Sequence, residues 1–346
     1  MCVADDTFAG NVRRMVSAIR CSPRLLGNGA AMTISCRCAT AGSNQRKPSM
    51  HPVILDTDIG NDIDDVLALT MLVNLHRRRE ITLKAVLCSK LETRSPVYAD
   101  FLCKYLGVDV EIGYSAEAAV HHSKSNYLNL LGLFEERYGS IFPAARDYRR
   151  SDELLADQLS MCEDQTVVVI SIGFPVSVAK LLNNKKNAEL FNSKVRRFVI
   201  MAGRFSAGPP EFNASAAPGA LEDCIVRTTC PKYFIDVELG RSVQFPEQEI
   251  LSLRDSGRLD PVVLSYLSFR PHTYPRASWD LLAALCATDT GLEIFNTSTR
   301  GRVSVQSDGQ TLFSEDSNGR CTILSLSAAG ENTARTRLSD LIRNWV

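Results

Sequence analysis

The chain has 346 residues, 45% of them hydrophobic, and its 39 Lys plus Arg are matched by 39 Asp plus Glu. Such a content is ample for one large α/β domain, and the charge balance leaves no field to draw the protein to nucleic acid or to an anionic membrane. No apolar run reaches the ~20 residues that span a bilayer, so the expected partner is a small molecule.

Residues 1–50 stand apart, with seven basic and two acidic side chains and no sustained period. They are expected to lie outside the fold, as disordered chain, an organellar targeting segment or an over-long start before Met50. From His51 onward, short apolar strands alternate with amphipathic helices. This predicts a mostly parallel sheet flanked by helices, in a single domain over 51–346. PVILDTD reads as a buried strand followed by a helix over 64–76, and ITLKAVLCS as a strand followed by a helix over 96–106. TVVVISIG, RRFVIMAG and YFIDVEL are the next strands, with helices over 176–182, 221–230 and 278–288. SVQSDGQTLF is a predicted hairpin around Asp308 and Gly309, and a last helix is expected over 334–345. The eleven cysteines are scattered, with no CxxC pair, which disfavours a disulfide framework and fits a reducing, cytoplasmic setting.

Within this order, ILDTDIGNDIDDVLAL places Asp56, Asp58, Asp62, Asp64 and Asp65 where a buried strand gives way to a helix. Two like charges ~4 Å apart repel by roughly 4 kcal/mol at an effective dielectric near 20, so converging carboxylates must take up protons or bind a cation. In parallel α/β sheets the ligand crevice lies outside the carboxyl ends of the strands, where Asp56 and Asp58 arrive. Solvated turns and helix caps explain one or two acids, but not an alternating DxD followed by a DD pair. An EF-hand would need Gly where Asn61 stands and Glu where Leu67 stands. An oxygen-only set without nearby His or Cys points to Ca²⁺, with Mg²⁺ the less favoured choice.

DTDIGNDIDD before an apolar helix resembles the DxDPGxDD signature of the inosine-uridine nucleoside hydrolase family, with two extra residues before the DD pair and Ile59 in place of Pro. VVVISIGFPVSVAKLL resembles the family's strand and GxLTN helix, with Val176 and Ser177 replacing Thr and Asn. VIMAGRFSAGPPEFNASAAP resembles its MGG and EFN segments, and RASWDLLAAL its late metal-site helix. The resemblance covers most of residues 51–346 and implies a nucleoside hydrolase-like open sheet. It implies Ca²⁺ held by Asp58, Asp65, the Ile172 carbonyl and Asp280, with Asp58 also the general base. Asp64, Glu211 and Asn213 would contact the ribose. Members commonly form homodimers or homotetramers. A His that helps protonate the leaving base is Trp279 here, a residue that can stack on a base or pack in the core. His121, His122, His272 and Tyr274 remain as candidate acids. The ribose segment usual after the second strand is unrecognisable in CSKLETRSP, around Ser89 and Lys90.

The implied activity is metal-dependent hydrolysis of the N-glycosidic bond of a ribonucleoside or related ribosyl compound. A non-catalytic, ribosyl-binding member is the main alternative. A haloacid dehalogenase-type phosphatase also begins with DxD at the end of its first strand, but Gly60 stands where it needs Thr or Val, and the DD pair has no place in it.

Overall fold

The computed structural model describes residues 50–115, 126–144, 147–258, 260–270 and 274–344. The chain divides into Met1–Ser49 and Met50–Val346, and the described residues all belong to the second unit.

Strands β1 (His51–Thr57), β2 (Ile81–Cys88), β3 (Glu111–Tyr114), β4 (Arg149–Arg150), β5 (Val167–Ser171), β6 (Val195–Met201) and β7 (Lys232–Ile235) form a parallel array. β13 (Cys321–Ser325) extends it in parallel beyond β7, and β10 (Asn296–Thr297), β11 (Gly301–Val305) and β12 (Thr311–Glu315) complete it with antiparallel pairings. The order is β12-β11-β13-β7-β6-β5-β1-β2-β3-β4. Strand succession therefore runs outward from β1 on one side through β2 to β4, then restarts on its other side with β5. That reversal makes β1 the switch point, where the loops leaving β1 and β5 part and open a crevice.

The strands are near-continuous Val, Ile and Leu runs because both faces of a parallel sheet are covered; Val53, Ile54, Leu55 and the whole of β5 are fully buried. Helices α1 (Asp64–Arg77), α2 (Arg94–Tyr105), α3 (Leu131–Tyr138), α4 (Ser151–Ser160), α5 (Val176–Leu182), α6 (Lys185–Lys194), α7 (Phe212–Ala216) and α8 (Pro218–Arg227) occur between β1 and β7. After β7 come α9 (Val237–Ser242), α10 (Glu247–Asp255), α11 (Asp260–Phe269), α12 (Trp279–Leu285), α13 (Asp289–Leu292) and the C-terminal α14 (Ala328–Arg343). A separate ribbon pairs β8 (Gln244–Phe245) with β9 (Arg276–Ala277).

YFIDVEL was expected to be strand throughout, but the strand ends at Ile235. Asp236 accepts the Leu239 N–H at 2.8 Å and starts α9. The hairpin forms as expected, with Val305 paired to Thr311 and Gly309 at φ 89° in the turn. Among the described residues, seven cysteines are free and buried, and no helix is long and apolar enough to cross a membrane.

Candidate active site

The acidic run leaves the carboxyl end of β1 and enters α1 at Asp64. Asp56, Asp58, Asp64 and Asp65 are all buried, with Asp56 at 0% exposure. α12 brings Asp280 to the same place from more than two hundred residues away: its backbone N–H donates to Asp64 Oδ2 at 3.4 Å. Ligand oxygens of Asp64, Asp65 and Asp280 lie within 4.8 Å of one another. Asp58 lies beside this trio rather than within it; its carboxylate accepts from the Asn61 side-chain amide.

The chain leaving β5 packs against the acid loop. Ile172 N–H donates to the Asp56 carbonyl at 2.8 Å, and the next residue, Gly173, sits so close to Asp58 that a Cβ would stand 2.3 Å from the Asp58 backbone nitrogen. Only a residue without a side chain lets the chain leaving β5 pass this close to the Asp58 backbone. Gly173→Ala is expected to cost about 1–3 kcal/mol in urea denaturation through overpacking and to displace Asp58, so that activity falls together with stability.

The electrostatics of this cluster are unfavourable without a cation. Burial pushes the Asp58 carboxyl up to about 6, against hydrogen bonding from Asn61 and the charge of Lys90. Asp64, Asp65 and Asp280 are raised well above the ordinary carboxylate range, first by burial and then by neighbouring carboxylates. Asp56 is raised to about 8 by burial, despite hydrogen bonds from Ser171 and Ser177. Two oxygens bound to one Ca²⁺ at ~2.3–2.6 Å stand at most about 5 Å apart, so the trio fits such an ion. A divalent charge there offsets the desolvation that otherwise forces protons onto the acids.

The two-residue insertion is a braced element. Gly60, at φ 114°, donates its N–H to the Tyr127 hydroxyl, and that hydroxyl donates to the Asp62 carbonyl at 2.9 Å. Lys90 Nζ donates to the Gly60 carbonyl at 3.0 Å, and Ser95 Oγ to the Ile59 carbonyl at 2.6 Å. Asp62, to which the sequence assigns no role, pairs with Arg276: Nε donates to Oδ1 at 2.9 Å, and Nη2 bonds Oδ2. Lys90 escapes a motif-based reading because CSKLETRSP has no recognisable motif, although its place directly beyond the carboxyl end of β2 is a sufficient signal. It supplies a buried positive charge that favours the ionised forms of Asp58 and Asp65.

Glu211 caps α7, accepting the N–H groups of Asn213 at 2.8 Å and of Gly203 and Ala214 at 3.0 Å. The Phe212 N–H bonds it as well, so the carboxylate's acceptor positions, about four, all face backbone N–H groups. Asn213 donates its amide to the carbonyls of Ile172 at 3.1 Å and Met201 at 3.0 Å, which ties the EFN segment to the end of β5 and leaves one lone pair on the Ile172 oxygen. Trp279 donates Nε1–H to the Val237 carbonyl at 2.9 Å and packs on Gly240, where a Cβ would meet its ring at 1.8 Å. The Arg276 guanidinium lies 4.9 Å from the ring centroid. His121, His122 and His272 lie outside the described residues.

A parallel α/β sheet with buried carboxylates gathered at its switch point defines an α/β protein with a crevice whose oxygens could hold a cation. The model of the inosine-uridine preferring nucleoside hydrolases matches residues 53–336, and the chain belongs to this family, which makes it an N-glycosyl hydrolase. The enzyme from Bacillus anthracis shares the fold at 17% identity, covering 85% of this chain and 100% of its own, with a TM-score of 0.69. A plant nucleoside hydrolase aligns at 16% identity over 85% of this chain and 99% of its own, with a TM-score of 0.64. The type III effector XopQ, solved in complex with adenosine diphosphate ribose, aligns at 15% identity over 98% of this chain and 99% of its own, with a TM-score of 0.63. At these identities the likeness is one of fold. Among curated proteins, no sequence matches the chain.

Proposed function

We propose that the chain hydrolyses the N-glycosidic bond of a ribonucleoside or related ribosyl compound with the aid of Ca²⁺, as one catalytic domain over residues 51–346. The observation that carries this reading is the meeting of Asp64, Asp65 and Asp280 from the two ends of that stretch, at the switch point. Asp58, Asp65, Asp280 and the Ile172 carbonyl would hold the ion, with Asp64 against a ribose hydroxyl or sharing the ligation. When bound, the ion orients the ribose diol and acidifies a water molecule. Asp58 accepts the proton of that water; a carboxyl raised to about 6 is better matched to general-base work near neutral pH than an ordinary one. Glu211 and Asn213 would hold the ribose, Asn213 through its Oδ1, the acceptor that the amide bonds to Ile172 and Met201 leave over. The surrounding carboxylates stabilise positive charge developing on the sugar as the bond breaks. Trp279 would flank the leaving base. A cytoplasmic location and a homodimeric or homotetrameric assembly accompany this reading.

The adenosine diphosphate ribose in the XopQ structure favours a second reading, a member that binds a ribosyl group without cleaving it. A nucleoside panel scored for released reducing sugar, with p-nitrophenyl riboside alongside, separates the two. The hydrolase reading expects turnover that a chelator removes. Ribose binding with no turnover of any riboside would establish the binding-only member.

A further inference from the structure

The two elements that supply the acid trio are also joined by an ion pair outside it. Asp62 stands two residues before Asp64, in the insertion, and Arg276 stands four residues before Asp280, in β9. Their side chains meet fork to fork, Nε on Oδ1 at 2.9 Å and Nη2 on Oδ2, a bidentate geometry that fixes distance and orientation together. Each partner is itself held. The Asp62 carboxylate also accepts the Ile63 N–H at 2.6 Å, at the entry to α1, and the Asp62 carbonyl accepts the Tyr127 hydroxyl at 2.9 Å. The Arg276 guanidinium lies 4.9 Å from the Trp279 ring centroid and 5.5 Å from that of Phe269, and its side chain is only 12% exposed. Between Arg276 and α12, the Ser278 N–H donates to the carbonyls of Gly240 and Val243 at 3.0 Å. By contrast, the hydrogen bond that joins the acids themselves, from the Asp280 N–H to Asp64, is long at 3.4 Å, and the carboxylates repel one another.

We infer that the Asp62–Arg276 pair is a latch that positions the metal ligands, holding the acid loop against the start of α12 so that Asp64, Asp65 and Asp280 converge before the ion arrives. This inference rests on the Ca²⁺ reading above. Asp62 and Arg276 are positioning residues: both act through the elements that carry the ligands. An ion binds more weakly in proportion to the fraction of molecules in which its ligands are already gathered, and mutually repelling carboxylates keep that fraction low unless something else holds them. At Arg276 the latch and a simple charge effect have opposite signs. The cation acts on Asp280 and repels Ca²⁺, so on charge alone its removal tightens binding. As half of the latch, its removal loosens binding.

Calorimetric titration of the calcium-stripped full chain with Ca²⁺ at pH 8 reads that sign directly, with thermal midpoints in chelator showing that each variant is folded. Arg276→Gln should raise the dissociation constant about tenfold or more, and Asp62→Asn by a similar factor. The double variant should lose no more than the weaker-binding single, because either change opens the same latch. Arg276→Lys keeps the charge and loses the fork, so it should bind about threefold or more weakly than wild type, and it carries the test if Arg276→Gln does not fold. Tighter binding by Arg276→Gln, a dissociation constant within about twofold of wild type in either Arg276 variant, or losses that multiply in the double variant would each overturn the latch while leaving the Ca²⁺ reading intact. A folded wild type that takes up no Ca²⁺ would instead remove the Ca²⁺ reading, and the latch with it.

Discussion

Replacing Asp58 by Asn is expected to lower hydrolysis of every riboside the protein cleaves by about 10²–10⁴-fold, p-nitrophenyl riboside included. The breadth of the loss is the diagnostic feature. In the proposed reaction Asp58 acts on the water, a step common to all leaving groups, whereas a group acting on the base shows its effect only where the base must be protonated. The substitution is nearly isosteric, and the carbonyl oxygen of the introduced side chain can still accept from the Asn61 amide that now holds the carboxylate. The fold should therefore survive, with a thermal midpoint in chelator within a few degrees of wild type. Steady-state rates on inosine and p-nitrophenyl riboside measure the effect. Residual turnover above about a tenth of wild type on either would remove Asp58 from the role of base.

The sequence made most of the sheet legible because a parallel array announces itself in uninterrupted apolar runs, as at Val53 to Leu55 and through β5. Asp280 was legible only through the family resemblance, since nothing local to SWDLLAAL says that its helix packs beside α1. The Asp62 and Arg276 pair spans 214 positions, so it could be found only in three dimensions; no local period links an insertion residue to a two-residue strand. Short elements such as β3, β4 and α9 escaped because two to six residues cannot display a period. A side-chain cap decided the end of β7 against the apolar run that continued past it. Tyr274 could be named a candidate from its position, but the unpaired state of its hydroxyl is a property of packing alone.

The trio itself predicts how stability should respond to metal and pH. In chelator, the folded-state carboxyls of Asp58, Asp64, Asp65 and Asp280 all sit above their value near 3.8 in the unfolded chain, Asp58 at about 6 and the others well raised. A group raised on folding binds its proton more tightly in the folded state, so its contribution is complete below the unfolded value and is lost as pH climbs through the folded one. The metal-free protein should therefore lose thermal stability steadily from pH 4 through 6 and beyond. Ca²⁺ binds the deprotonated set, so saturating Ca²⁺ should flatten that decline and separate the two curves most at pH 8. If the ion is present at about 100 times its dissociation constant, the gain is ~2.7 kcal/mol, or about 5–10 °C at the ~2–4 °C per kcal/mol of a chain this long. Asp280→Asn should abolish the separation. It should also raise the metal-free midpoint at pH 8, because it removes a buried charge repelled by Asp64, Asp65 and Asp58 and offset by Arg276. Coincident wild-type melting curves with Ca²⁺ and with chelator at pH 8 would show that the three carboxylates meet without holding the ion.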